Sequence, residues 1–304
     1  MNNIHTIGCS FTNWLYPTWT DFIHQHYDAS VNNLGYPGYG NDTIKKKLYT
    51  INSSKHVFVM FSGYDRNCIG IDDHWLKKNM HDGTAMTQIK KAIFEKDAGY
   101  IFYKKEFPLT AFVIEKVVYG KNRANSKFHY YYKMLEYIFD CENYLKAKGI
   151  EYNFCMWQGF YNDLTELRAL NQPKNSTKDF EKNTAYKKLL DSIDWTKFVE
   201  NKTNDTVGPV KKGLWEHIMD RKIFVEVQSI TDMHPSSLCH FYYFKKNIKP
   251  ILDNKMPCKD NIDSLEHKAY ELSKYYKQLS ENFEEMVFDE KLKADLFEKF
   301  DGYW

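Results

Sequence analysis

The chain has 304 residues, of which 43% are hydrophobic, and its 42 basic residues against 40 acidic ones leave a formal charge of +2. That length supports one substantial hydrophobic core with room for an appendage, and the near balance of charge gives no footprint for nucleic acid or for a strongly anionic partner. No apolar run approaches the roughly 18 residues of a membrane helix, and the start Met-Asn-Asn-Ile-His has neither a basic nor an apolar leader region, so a cytoplasmic setting without membrane contact is expected.

Strand and helix patterns alternate from the start, as in a parallel sheet covered by helices. Residues 3–9 read as a strand. A helix follows over about 18–27, opened by Thr18 with Asp21 three residues on, and Trp19, Phe22, Ile23 and His26 share one face. A short strand is expected over 30–34, then a helix capped by Asn41 with the stripe Ile44, Leu48 and Ile51. The run Val57-Phe-Val-Met-Phe61 has no polar alternation, which marks a central strand buried on both faces. A helix over about 127–148 carries Tyr131, Met134, Leu135, Ile138 and Leu145 in register and stops at Gly149, and 150–156 reads as the next strand. The last expected strand, 223–228, runs into a helix over about 236–250. Segments 66–126 and 158–212 break the alternation and read as insertions around the carboxyl edge of the sheet. From about 262, Leu265, Ala269, Leu272, Tyr276, Leu279, Phe283 and Met286 keep heptad spacing. Such a helix either packs on the chain's own core or, over 262–288, joins two copies into a homo-oligomer. The expected domains are 1–256, with its two insertions, and a helical extension over 257–304.

Cys9, Cys68, Cys141, Cys155, Cys239 and Cys258 follow no disulfide framework and form no Cys-x-x-Cys, so reduced thiols are expected. A metal reading of Asp232, His234 and His240 lacks a third His or Cys at ligand spacing, and no metal or other cofactor is expected. His5, His24, His26 and His217 read as ordinary core or surface histidines.

Four stretches fall at successive strand ends: Gly8-Cys-Ser10-Phe-Thr12, Asn33-Leu-Gly-Tyr-Pro-Gly38-Tyr-Gly-Asn41, Phe61-Ser-Gly-Tyr-Asp65-Arg66 and Asp232-Met-His234-Pro235. In an open α/β sheet the carboxyl ends of the strands form the ligand crevice, where these stretches would converge. Ser10 sits on a strand-to-helix turn, the position of an exposed nucleophile. A serine hydroxyl needs a hydrogen-bonded base, and His234 combines a carboxylate two residues before it with a Pro after it that suits a first helical position. A Gly-rich turn between strand and helix also describes phosphate cradles, but neither Gly-x-Gly-x-x-Gly nor Gly-Lys-Ser/Thr occurs there.

On these residues the chain resembles the SGNH (GDSL-type) hydrolases. "GCSFT" is similar to the family's first block, "NLGYPGYGN" to the second, and "DMHP" to the last, over roughly residues 1–250. The resemblance implies a flavodoxin-like three-layer α/β/α sandwich with a central parallel sheet. It also implies Ser10 as nucleophile, His234 as base, Asp232 as its orienter, and the N–H groups of Ser10 and Gly38 as oxyanion donors. The third block departs from the family, since Tyr64 stands where an Asn donor belongs; the Tyr64 hydroxyl, the Arg66 guanidinium or the Asn41 amide are the substitutes, and Asp65 and Arg66 are candidate substrate contacts. Asp232 and His234 are also one residue closer in sequence than the family pattern, though i and i+2 on extended backbone face the same side. The activity implied is cleavage of an O-acyl ester, such as an O-acetyl group on a carbohydrate, through an acyl-serine. The alternatives are a non-catalytic module that binds a glycan or a protein, and an O-acyltransferase on the same scaffold. The insertion around Tyr100, Phe102, Tyr103, Phe107 and Tyr119 is either an aromatic lid or a subdomain burying its own core.

Overall fold

A computed structural model describes residues 3–64, 68–71, 107–110, 127–160, 182–205, 207–220 and 234–281. Four parallel strands make the central sheet: β1 (Asn3–Ile7), β2 (Ser30–Asn33), β3 (His56–Phe61) and, after a two-stranded antiparallel ribbon of β4 (Cys68–Ile71) and β5 (Phe107–Thr110), β6 (Glu151–Met156). Their order is β2-β1-β3-β6, with Thr6 beside Asn33, Ile7 beside Val59 and Phe61 beside Met156. Because all four run the same way in this register, their carboxyl ends share one rim. The chain leaves β1 toward one side and returns as β3 on the other, so the rim between β1 and β3 is the topological switch point, where ligands bind in such sheets.

The uniformly apolar β3 is buried along its whole length, and its residues alternate between two hydrophobic clusters. Phe58 and Met60 join Ile4 and Cys155 in a cluster with α1 (Trp19–His26). Val57, Val59 and Phe61 join Ile7 and Phe154 in a cluster with α2 (Asn41–Leu48) and α3 (Lys127–Ala147). The stripe expected on α3 is buried at Tyr131, Met134, Leu135, Ile138 and Leu145, and Gly149 follows its end. At the start of α1 the Asp21 carboxylate accepts the Thr18 N–H at 2.7 Å, the local link that the Thr18/Asp21 spacing predicts.

Beyond β6 the chain forms α4 (Thr184–Asp191), α5 (Val199–Asn204) and α6 (Leu214–Asp220), so the stretch read as irregular over 158–212 holds two of these helices. The expected strand 223–228 and most of the segment 66–126 lie outside the described residues. The helix expected over 236–250 is α7 (Ser237–Tyr243), a π turn (Phe244–Ile248) and α8 (Lys249–Leu252) in succession. The widened turn comes just ahead of Pro250, which has no N–H to return to a carbonyl one turn back. The heptad helix is α9 (Ile262–Glu281), and its Leu265, Ala269, Leu272 and Tyr276 are buried within the chain. It packs on α7 and α1, with the Leu238 N–H donating to Ser273 Oγ at 2.9 Å. Its first half is therefore part of the main core, in the cluster that contains Leu265 and Ala269. Among the described residues no helix is long and apolar enough to cross a membrane.

One buried carboxyl links β6, α5 and α7. Glu200 accepts the Met156 N–H at 3.0 Å and the Tyr243 hydroxyl at 2.5 Å, both on Oε1. Burial outweighs these two donors and pushes its pKa up to about 7 from an ordinary value of 4.5. The folded chain then holds a proton that the unfolded chain releases near pH 4.5, so the contribution of Glu200 to stability is full below that pH and is lost as the pH rises to about 7. The loss is at most about 3 kcal/mol. Urea unfolding of wild type and Glu200→Gln is expected to show wild type losing stability relative to the variant across this window; parallel pH curves would contradict the assignment.

Candidate functional site

The loop carrying Ser10 is built from backbone bonds and from polar side chains of the next elements. After β1 the turn closes on the Cys9 carbonyl, which accepts the N–H groups of Thr12 at 2.9 Å and Asn13 at 3.2 Å. The Thr12 carbonyl in turn lies within hydrogen-bond reach of the Thr18 hydroxyl (2.7 Å), the Thr20 hydroxyl (3.1 Å) and the Asn33 amide (2.8 Å). Asn33 Oδ1 accepts the Gly35 N–H, and the Asn13 amide donates to the Gly35 carbonyl. The Tyr36 N–H also reaches the Gly8 carbonyl, at 3.1 Å. The loops after β1 and β2, where the first two sequence blocks lie, are thus one fastened unit. Asn13 and Asn33 carry no sequence signal of this role, because it exists only through pairing across about twenty residues.

Ser10 is 4% exposed on this unit, so the turn holds it buried and not exposed as its strand-end position suggested. His234, equally buried, lies against it from the far end of the chain: its ring stacks on Trp14 with centroids 3.9 Å apart and 22° between planes, and tilts against Phe11 at 5.4 Å. The imidazole is therefore packed on Phe11 and Trp14, two aromatic residues that follow Ser10 in and just after the turn. The described residues make no direct hydrogen bond between the Ser10 hydroxyl and this ring. His240 lies six positions on, in α7, and burial together with the charge of His234 pushes its pKa down to about 3, which keeps it neutral. The helix start differs from expectation. Ser236 is the N-cap, its hydroxyl accepting the Cys239 N–H at 3.4 Å, so Pro235 precedes the cap instead of occupying the first helical position.

Gly38 has φ of 83°, a left-handed conformation that a side chain would strain, and it lies in the loop between β2 and α2. Asn41 is fully buried at the first turn of α2, whose N-cap is Gly40. Its amide bridges to the end of β3: Oδ1 accepts the Ser62 N–H at 2.8 Å, and Nδ2 donates to the Gly63 carbonyl at 2.9 Å. Asn41 is therefore not the expected cap but a strut between α2 and the third block. It satisfies buried backbone groups there that α2 cannot reach itself. The Tyr64 ring stacks on Tyr131 of α3, with centroids 4.3 Å apart and planes 7° from parallel. Asp65, Arg66 and Asp232 lie outside the described residues.

An aromatic row continues from His234 along the rim. Phe11 stacks on Trp157 at 4.6 Å, and Trp157 meets Trp215 at 5.7 Å. Trp157 directly follows β6, its N–H donating to the Phe61 carbonyl, and its own carbonyl accepts the Trp215 N–H. The sequence signal for Trp157 is its position just past the carboxyl end of an expected strand, the same signal that marks Ser10. Of the aromatic insertion around Tyr100, Phe102, Tyr103, Phe107 and Tyr119, only the stretch Phe107–Thr110 lies among the described residues.

No protein-family model matches this chain, and no curated protein matches it.

Proposed function

We propose that the chain is a serine esterase of the SGNH type, with a three-layer flavodoxin-like arrangement around its parallel sheet, and that it cleaves a short O-acyl ester on a carbohydrate. The observation that carries this reading is the packing of the His234 ring on the loop that presents Ser10 at the sheet's switch point. Ser10 Oγ attacks the ester carbonyl while His234 takes its proton, and His234 then delivers that proton to the leaving alkoxide, giving an alcohol and an acyl-serine. Water, deprotonated by His234, attacks the acyl-serine and releases the acid with Ser10 restored. Asp232 holds the imidazole in the required tautomer. The N–H groups of Ser10 and Gly38 stabilise the oxyanion. Tyr64 or Arg66 supplies the third donor, since the Asn41 amide is occupied at Ser62 and Gly63. The partly exposed Trp157 and Trp215, backed by Phe11, suit the apolar face of a sugar ring.

A second reading is a non-catalytic module that uses the same aromatic row to hold a glycan or a protein. It is favoured by the Tyr64 ring lying on Tyr131 at the place where the family has an Asn donor. An acyltransferase differs from the esterase only in the acceptor, a sugar hydroxyl in place of water. Turnover of 4-nitrophenyl acetate and of an O-acetylated sugar separates these. The esterase predicts hydrolysis that falls about 10²- to 10⁴-fold in His234→Gln, and hydrolysis that is absent in wild type or equal in the variant would overturn it.

A further inference from the structure

We propose that His26, Asp253 and Cys258 form a zinc site that clamps the segment between α8 and α9 to the end of α1. Their candidate ligand atoms all lie within 4.8 Å of one another. They come from three separate stretches of chain: His26 ends α1, Asp253 follows α8, and Cys258 lies in the connection to α9. Backbone bonds bring the stretches together independently of any metal, since the Asp28 N–H donates to the Pro257 carbonyl and the Lys259 N–H to the His26 carbonyl. α1 runs back from the rim that carries Ser10, so this cluster lies at the opposite edge of the sheet and serves stability, not the ester chemistry.

The second observation is His26 itself. It is 3% exposed, and among the described residues neither ring nitrogen completes a hydrogen bond of normal geometry, the Asp260 backbone being the one main-chain group that acts on the ring. A buried imidazole without a full set of hydrogen bonds is costly unless something binds it. Cys258 is a free, exposed thiol, so a metal can reach the cluster from solvent. One nitrogen, one thiolate and one carboxylate oxygen suit zinc, with water completing a tetrahedron. The carboxylate is already oriented, because the Tyr27 hydroxyl donates to Asp253 Oδ1 at 2.8 Å. The Lys249 ammonium sits 2.8 Å from both Asp253 oxygens, where it holds the place of a cation. Zinc binding requires this partly exposed lysine to swing out, so Lys249 works against the metal.

That opposition gives the site two variants of opposite sign. Zinc titrated into the reduced, chelator-treated full chain is expected to bind with one equivalent per chain and to raise the unfolding temperature. Cys258→Ser is expected to weaken binding by about tenfold or more, and Lys249→Gln to tighten it. Cobalt substitution adds a readout independent of stability: a cobalt–thiolate charge-transfer band in wild type and in Lys249→Gln that is missing in Cys258→Ser. Absence of zinc binding in wild type, or a cobalt band and zinc affinity unchanged by Cys258→Ser, would overturn the proposal. Ester hydrolysis is expected to be the same with and without zinc, so failure here leaves the proposed activity standing, and the reverse.

Discussion

Ser10→Ala is expected to lower ester hydrolysis by about 10⁴- to 10⁶-fold while leaving the unfolding midpoint nearly unchanged. The two halves of this expectation have separate causes. Removing the nucleophile of a Ser-His pair leaves only binding and oxyanion contacts to act on the substrate, which accounts for the size of the loss. The loop itself is held by the Cys9 and Thr12 carbonyls and by Asn33, and Ser10 provides none of those bonds. Loss of one hydroxyl that makes none of the loop's bonds among the described residues costs little. Initial rates with 4-nitrophenyl acetate and thermal melts on the same samples measure both. Turnover that survives in a folded Ser10→Ala protein would exclude Ser10 as the nucleophile.

Gly8→Ala is expected to be the most destabilising small substitution near the site, by about 3 kcal/mol or more. A Cβ at position 8 would lie 2.0 Å from Thr12 Oγ1, 3.0 Å from Thr12 Cβ and 3.1 Å from the Met60 carbonyl. None of these atoms can retreat easily. Thr12 is fully buried and its carbonyl collects three donors, while Met60 is fixed in the central strand β3. Glycine ends the first strand, therefore, because the loop folds back directly over it. Thr12→Ala removes the closest atom, so the double variant is expected to cost less than the sum of the two single changes. Denaturant unfolding of the four proteins measures that coupling, and strict additivity would contradict the packing explanation.

The elements that were legible in the sequence are those whose causes are local. Thr18 and Asp21 are three residues apart and make their link within one turn, and the apolar stripes of α1 and α3 repeat within a few residues. The uninterrupted Val57 to Phe61 run identified a strand with both faces covered. What the sequence hid depends on distant partners. Asn41 has the composition of a helix cap, yet its amide is drawn to Ser62 and Gly63, 21 and 22 residues on. Pro235 resembles a helix start, but the adjacent Ser236 has a hydroxyl that can accept the Cys239 N–H, a bond proline cannot replace. The packing of α9 on its own core could not be separated from self-association by heptad spacing alone, because both bury the same stripe. At the candidate site the strand-end positions of Ser10 and Gly38 could be read directly. The approach of His234 to Phe11 and Trp14 joins residues more than 200 apart, and only the fold brings them together. The cluster of His26, Asp253 and Cys258 is of the same kind: each looks ordinary in its own stretch.

Treating the purified chain with a fluorophosphonate probe and mapping the adduct by mass spectrometry tests most directly whether Ser10 is an activated nucleophile. The expected result is one adduct, on the peptide that contains Ser10, present in wild type and missing from Ser10→Ala. An unlabelled wild-type protein, or an adduct that persists in Ser10→Ala, would contradict it.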